Sequence, residues 1–326
     1  MKSALVTGIR GQDGRHLTEL LLARGYQVYG VINGQKDDAA DFGSTYPEVR
    51  RLRADLADSS SLVQLLQEVQ PDEIYNLGAI SFVALSFTQP ELTSNITGLG
   101  ALRLFEAIRL LEMQKNTRIF QASSSEMFGK VQQIPQNELT PFYPRSPYAV
   151  SKVFAHQIAV NYREAYDFHL SCGIMFNHEG PYRGYEFVTR KITQGVARIK
   201  LGLQSELRLG NLDAKRDWGF AGDFVEAMWA MLQQPMPDDY VISTGQTHSV
   251  REFVDAAFEA AGLENGLEKY VKIDERFKRP SEVDLLIGDS TKAQSILNWK
   301  PTVNFHGLVQ MMVENDLRIE SKLNGK

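Results

Sequence analysis

Two stretches of this chain carry residues whose types and spacing could move protons. Ser123-Ser124-Ser125-Glu126-Met127-Phe128-Gly129 offers three hydroxyls and a carboxylate, and Tyr148-Ala149-Val150-Ser151-Lys152 offers a tyrosine four residues before a lysine. Residues four apart on a helix share a face, and an ammonium beside a phenol favours the phenolate. Such a phenol can take a proton from a substrate hydroxyl near neutral pH, with Glu126 as a second base in the same site. Tyr-x-x-x-Lys alone is common surface decoration. It gains weight from the nucleotide-binding pattern ahead of it, Thr7-Gly8-Ile9-Arg10-Gly11-Gln12-Asp13-Gly14.

The elements that must position these groups can be read around them. An apolar run over residues 3–6 ends in the glycine turn, an amphipathic segment over 15–24 is closed by Gly25, and 27–32 reads as a second strand. Strand, glycine turn, helix and strand make a βαβ unit. The glycines run G-x-x-G-x-x-G rather than G-x-G-x-x-G, but serve the same need. The backbone must come close to a pyrophosphate at a helix N-terminus. Gly8, Arg10, Gly11, Gln12, Asp13 and Gly14 are therefore candidate cofactor residues. An acid at the end of the second strand would bind the ribose 2′-hydroxyl of NAD. Here Asn33-Gly34-Gln35-Lys36 stands there and the first acid is Asp37. With Arg10 in the turn, that favours NADP.

A third strand over 49–56 ends in Asp55-Leu56, placed for an adenine contact, and a helix over 59–69 starts with Ser59 or Ser60 as N-cap. Residues 73–77 form a fourth strand, followed by Gly78-Ala79, small enough for a cofactor to lie on the backbone. A long helix over 91–112 leads to a fifth strand, 118–122, whose C-terminal edge carries Ser123 to Glu126. That edge is where open α/β sheets bind ligands. The proline-studded loop 141–147 then presents Ser146 as N-cap and Pro147 as first helical residue of the helix bearing Tyr148 and Lys152. A sixth strand covers 169–175. The alternation predicts an α/β fold with a Rossmann-type doubly wound parallel sheet. Beyond Phe176 the alternation degrades. Residues 1–176 read as an NADP-binding domain, with elements around 211–245 and 285–303 returning to it, and 177–326 mainly as a smaller, interleaved C-terminal substrate domain.

The bulk numbers set limits on partners. The 326 residues are 43% hydrophobic and 23% charged, ordinary for a globular enzyme. A net charge of −5 leaves no electrostatic footprint for nucleic acid. The single cysteine, Cys172, excludes an intrachain disulfide and reads as a small residue of a buried strand. No apolar run is long enough to span a bilayer, and the first residues read as strand rather than leader, which points to the cytoplasm. The histidines are scattered without ligand spacing, so no metal is expected.

Further stretches carry a family resemblance: Asn177-His178-Glu179-Gly180-Pro181, Phe187-Val188-Thr189-Arg190-Lys191-Ile192-Thr193, Asn211-Leu212-Asp213-Ala214-Lys215-Arg216-Asp217-Trp218-Gly219-Phe220 and Arg279-Pro280-Ser281-Glu282-Val283-Asp284. With the glycine turn and Tyr-x-x-x-Lys, they resemble the extended short-chain dehydrogenase/reductases and, within these, the GDP-mannose 4,6-dehydratases, over nearly the whole chain. The resemblance implies a lyase that oxidises C4 of a GDP-linked sugar, eliminates water across C5 and C6, and returns the hydride to C6. Its catalytic residues would be Ser124, Ser125, Glu126, Tyr148 and Lys152. Ser124 would bind O4, Tyr148 would deprotonate it, and Glu126 would take the C5 proton. Ser125 stands where dTDP-glucose dehydratases have an aspartic acid, so Glu126 would handle both protons. Cofactor contacts would extend over Asp55, Leu56, Leu77, Gly78, Ala79, Ser81, His178 and Arg183. The substrate would meet Ser81, Asn177, Val188, Lys191, Leu209, Gly210, Asn211, Lys215, Arg216, Arg279 and Glu282. Among these, Arg and Lys suit the two phosphates.

The chain also departs from the resemblance. Gly34-Gln35-Lys36-Asp37-Asp38 replaces an Arg-Arg-Ser-like stretch that binds the 2′-phosphate and joins subunits in the family, so both homodimer and homotetramer stay open. Ser124 replaces a usual threonine and Leu92 a frequent tyrosine, and Gly78 and Ile80 also differ. A related GDP-sugar such as a GDP-manno-heptose therefore remains an alternative substrate. An NADPH-dependent nucleotide-sugar reductase or epimerase is a second reading, and a non-catalytic NADP-sensing scaffold a third. Glu126 discriminates against the reductase, which needs no C5 base. The scaffold has no need of Glu126, Tyr148 and Lys152 together.

Overall fold

The computed structural model describes residues 1–33, 39–277, 281, 283 and 285–325, without the side chains of 39–41. Six strands follow in chain order: β1 (Ser3–Thr7), β2 (Gln27–Ile32), β3 (Arg50–Arg53), β4 (Glu73–Asn76), β5 (Arg118–Ser124) and β6 (Leu170–Met175). With an edge strand, Asp239–Ile242, they form one parallel seven-stranded sheet. The order is β3-β2-β1-β4-β5-β6 and then the edge strand. The order reverses between β1 and β4, the switch point at which such sheets open a crevice for a dinucleotide. This is the doubly wound Rossmann-type sheet that the alternation predicts.

The central strands are buried on both faces because helices cover both. One core joins Val6, Tyr75, Phe120 and Ile174 of the sheet to Phe224, Tyr240 and Trp299 from later in the chain. The opposite face packs Leu5, Ile74 and Ile119 against Leu104, Phe105 and Ala155. Cys172 lies on this second face with no exposed surface, as expected of a small core residue. A separate core forms around Ile192, Leu209, Trp218, Phe253 and Phe305.

Four local expectations change in the structure. The helix over 59–69 is capped by Asp58, whose carboxylate accepts from the Ser60 amide, rather than by either serine. The first helix starts earlier than expected, at Gln12 (Gln12–Ala23), so the glycine turn feeds it directly. The third strand is shorter, Arg50–Arg53. The long helix over 91–112 is three pieces: Pro90–Thr93, a π-turn Ser94–Gly98, and Leu99–Leu110. Such π-turns cluster at functional sites. This one packs on the Tyr148 helix, where the Ser151 and Ser94 hydroxyls lie 3.2 Å apart.

Candidate active site

The glycine turn holds the cleft open. Gly8 has φ 68°, and a Cβ there would sit 3.0 Å from the Gly78 amide; one at Gly14 would lie 2.4 Å from the Ile9 carbonyl oxygen. Only glycine lets β1, the first helix and the end of β4 approach this closely. The crevice above them has a volume of about 890 Å³. At the nucleotide end Gly8, Arg10, Gly11, Gln12, Asp13, Gly14, Asp55, Leu56, Leu77, Gly78, Ala79 and Ser81 line it, as expected. Arg10 Nη2 donates to Asn33 Oδ1 at 3.4 Å, at the end of β2. The stretch Gly34 to Asp38 lies outside the described residues.

At the other end the two proton-moving stretches converge. Ser124 caps the short turn Ser125–Met127, accepting from the Glu126 amide at 3.2 Å. The helix Pro147–Tyr166 is capped by Ser146, which accepts from the Ala149 amide, with Pro147 at its first position. Ser124, Ser125, Glu126, Tyr148 and Lys152 all line the one cleft. Glu126, Tyr148 and Lys152 are all more than nine-tenths buried.

The acidities differ from the sequence expectation. Lys152 donates its Nζ proton to the Ala122 carbonyl at 2.7 Å, and its Nζ lies 5.8 Å from the Tyr148 ring centre. Burial, opposed by Ser124 and abetted by Glu126, pushes the Tyr148 phenol up to about 12. Burial also lowers Lys152 to about 8. The expectation that Lys152 lowers the phenol's pKa therefore does not hold in the ligand-free protein. The ammonium is directed at the strand, and desolvation outweighs the neighbours.

Across the cleft, Asp13 and His178 form a pair that the sequence does not reveal. His178 Nε2 lies 2.9 Å from Asp13 Oδ2 and His178 Nδ1 lies 2.7 Å from the Phe176 carbonyl. Burial opposes charge on both. Their mutual attraction still raises the His178 pKa and holds Asp13 far below the usual carboxylate range. Gln12 spans the pair, its amide donating to the His178 carbonyl and to Asp13. The Gln12 and Asn177 side-chain carbonyls are buried without a protein partner. Buried acceptors of this kind call for a donor from a ligand. With the glycine turn and the crevice volume, they fit a dinucleotide with a polar carboxamide end. Arg183 also lines the cleft, paired with Glu179 at 2.8 Å and stacked on Phe187. Asn95, Ile96 and Glu186 line it too and were not anticipated, since nothing in sequence marks the π-turn that aims the first two inward.

The expected phosphate and base contacts form a second group. Asn177 reaches the cleft, but Val188, Lys191, Leu209, Gly210, Asn211, Lys215 and Arg216 are not among its lining. They start directly beyond Phe187, which is. Val188 opens the helix Val188–Lys200; Lys191 on it lies over the Phe277 ring at 3.1 Å. Leu209 ends a strand, Leu207–Leu209, that pairs with Val271–Ile273. Asn211 caps its own turn by accepting from the Asp213 amide. Lys215 and Arg216 form a two-residue strand, and Arg216 donates to the Val283 carbonyl at 2.6 Å. Lys191 and Gly210 thus meet Phe277, and Lys215 and Arg216 meet Leu285 and Val283; Arg279, Glu282 and Asp284 lie outside the described residues. Arg190, of the same Phe187–Thr193 motif as Lys191, is buried and paired with Asp316 at 2.7 Å, joining two helices.

Comparison with known structures gives the class. A UDP-glucose 4-epimerase of Thermus thermophilus, solved with NAD, superposes with a TM-score of 0.84 at 26% identity, over 96% of this chain and 98% of that one. A dTDP-glucose 4,6-dehydratase of Bacillus anthracis, also with NAD, gives 0.83 at 20%, over 98% of each chain. The sheet and the Tyr148–Lys152 site define a short-chain dehydrogenase/reductase fold of the nucleotide-sugar epimerase and dehydratase type. The sequence matches are narrower. The GDP-mannose 4,6 dehydratase family model matches residues 5–312. GDP-mannose 4,6 dehydratase 2 of Arabidopsis thaliana is 51% identical over 98% of this chain and 88% of its own length. The Dictyostelium discoideum enzyme is 50% identical over 97% and 96%. The chain belongs to the GDP-mannose 4,6 dehydratase family and is a hydro-lyase acting on GDP-mannose. The reductase, epimerase and heptose readings are not favoured.

Proposed function

We propose that this enzyme dehydrates GDP-mannose to GDP-4-keto-6-deoxymannose with Ser124, Glu126, Tyr148 and Lys152 as its reacting group. The observation that carries this is their convergence on one cleft, with Glu126, Tyr148 and Lys152 buried and Ser124 half-buried beside them. A bound nicotinamide cofactor would supply the hydride acceptor and donor. Tyr148 takes the O4 proton while Ser124 holds that oxygen. The resulting ketone acidifies the C5 proton. Glu126 removes it and gives it to the departing 6-hydroxyl, which leaves as water. Hydride returns to C6, and the proton held since the first step goes to C5, so the sugar has lost one water and no net electrons. Lys152 and the Asp13–His178 pair would hold the polar groups of that cofactor.

NADP is the preferred cofactor in this reading, supported by Arg10 at the end of β2 and by the absence of an acid at Asn33. The GDP portion lies along Asn177, Val188, Lys191, Leu209, Gly210, Asn211, Lys215, Arg216, Arg279 and Glu282. Residues 1–176, with 211–245 and 285–303, form the cofactor unit, and most of 177–326 the substrate unit. The protein works as a homodimer or homotetramer; exposed Leu99, Val150 and Phe154 on adjacent helices support such a face. No helix among the described residues is long and apolar enough to cross a membrane, and a cytoplasmic setting accords with the unpaired Cys172.

GDP-mannose carrying deuterium at C4 tests the reading. The product should be lighter by one water and carry the label at C6, with none released to solvent. Oxidation without water loss, or label lost to solvent, would overturn it.

A further inference from the structure

One helix carries a line of polar groups from the active site to the far end of the sheet. Tyr148, Lys152, His156 and Arg163 all lie on Pro147–Tyr166. At 3.6 residues per turn they fall within an arc of about 80°, the arc that faces the sheet. Each group below the tyrosine holds a different part of that sheet. Lys152 Nζ bonds the Ala122 carbonyl. His156 Nδ1 and Ser123 Oγ share a hydrogen bond of 2.9 Å. Arg163 donates to the Leu170 carbonyl at the start of β6, and to both carboxylate oxygens of Asp239 on the edge strand, at 2.8 and 3.1 Å. The surrounding contacts are alanines and aromatic rings, among them Ala155, Ala159 and Phe142, whose edge meets the His156 ring. Small side chains of this kind interlock little along the helix axis, and directional bonds add the finer register.

His156, Cys172 and Asp239 also bring ligand-type atoms within 4.8 Å of one another. The cluster is not a cation site, because the Arg163 guanidinium already occupies both Asp239 oxygens. Burial lowers the His156 pKa despite Asp239, so the imidazole is neutral and suited to a hydroxyl partner.

The consequence lies one residue along the strand. Successive side chains of β5 point to opposite faces. Ser123 spends its hydroxyl on His156 at the edge of the cleft, while Ser124 and the Glu126 turn line the cleft beside it. We propose that His156 is a positioning residue for the dehydration: through Ser123 it sets the axial register of the Tyr148 helix against the end of β5, so that the phenol and the Ser124–Glu126 turn address neighbouring carbons of one sugar. The proposal rests on the reaction assigned above. Misplacement by about 1 Å can cost a hundredfold in rate, and the His156–Ser123 bond joins the two halves of the reacting group directly.

The test compares His156→Phe, which keeps a ring of similar shape, Ser123→Ala, the double variant, and His156→Asn, whose amide falls near the lost Nδ1. The expected result is a kcat on GDP-mannose lowered about tenfold to a hundredfold in His156→Phe and Ser123→Ala. KM and NADP affinity should stay within about twofold. The double variant should be no slower than the worse single one, and His156→Asn should recover much of the rate. In a single turnover, His156→Phe should reduce the cofactor slowly, because the first hydride transfer needs the phenol in place. Wild-type kcat in folded His156→Phe and Ser123→Ala would overturn the positioning role, leaving a satisfied buried pair. If His156→Phe does not fold, Ser123→Ala decides alone. A wild-type protein that does not dehydrate GDP-mannose would instead overturn the underlying reaction, and is seen before any variant is made.

Discussion

Lys152→Met should make the ligand-free protein more stable at neutral pH while removing its activity. Lys152 is 5% exposed, and burial has lowered its pKa from the ordinary 10.5 to about 8. At about 1.4 kcal/mol per pKa unit, keeping it charged in the fold costs about 3.5 kcal/mol below pH 8. Methionine removes that cost with a stem of similar shape. Against it stands the charge-assisted bond to the Ala122 carbonyl, worth about 1.5 kcal/mol; Gln121 still donates to that oxygen at 3.1 Å. The net gain at pH 7 is about 2 kcal/mol.

The pH dependence separates this cause from simple repacking. Between about 8 and 10.5 the unfolded chain holds a proton that the folded chain has shed, so wild-type stability rises with pH through that window. The methionine variant lacks this rise, and other groups cancel in the comparison. At pH 9.5 only about one pKa unit of penalty is left in the wild type, which nearly matches the lost hydrogen bond. Urea midpoints of the two proteins at pH 7 and 9.5, without cofactor, provide the assay. The variant should lead clearly at the lower pH and by little at the higher. An equal difference at both pH values, or a destabilised variant at pH 7, would refute the reasoning. Lys152 would then be comfortably solvated or paired in the fold.

The other predictions follow from individual residues. Glu126→Gln keeps shape and hydrogen bonding but not the base, so the first hydride transfer should survive and water loss should stall. NADPH absorbance should then accumulate on the enzyme with a 4-keto sugar, which the wild type does not show; turnover at the wild-type rate would demote Glu126 to a structural carboxylate. Arg10→Thr should narrow the preference for NADP over NAD, read by titrating both cofactors into both proteins; equal affinities in the wild type would refute the role of Arg10. Arg216→Ala should weaken GDP binding by about 1.5–3 kcal/mol, as expected for a charge-assisted bond to a phosphate. Unchanged affinity by calorimetry would assign Arg216 a structural role instead, through bonds such as that to the Val283 carbonyl.

What could be read in the sequence was what is local. The glycine turn, the Ser146-Pro147 helix start and the Tyr148–Lys152 spacing each lie within one element and its cap, where short-range sterics and hydrogen bonds decide the outcome. Asp13 and His178 are 165 residues apart, and Arg190 and Asp316 lie on separate helices. No spacing rule brings either pair together, so neither ion pair is legible in the sequence. At the helix over 59–69, Ser59 and Ser60 suit an N-cap by type as well as Asp58 does, and only the backbone geometry selects Asp58.

Tyr148 shows how local reading can find the right residue and misjudge its state. Four-residue spacing guarantees that two side chains leave the helix on one face, but it does not fix where a long, flexible lysine ends. Its ammonium goes to the Ala122 carbonyl, an acceptor that exists only once β5 lies under the helix. The same folding step buries both groups, and burial raises the phenol to about 12 while lowering the lysine to about 8. Both shifts disfavour the charged forms that proton abstraction requires. Spacing along one helix names the pair, and the depth at which the fold sets it decides how readily each member carries charge.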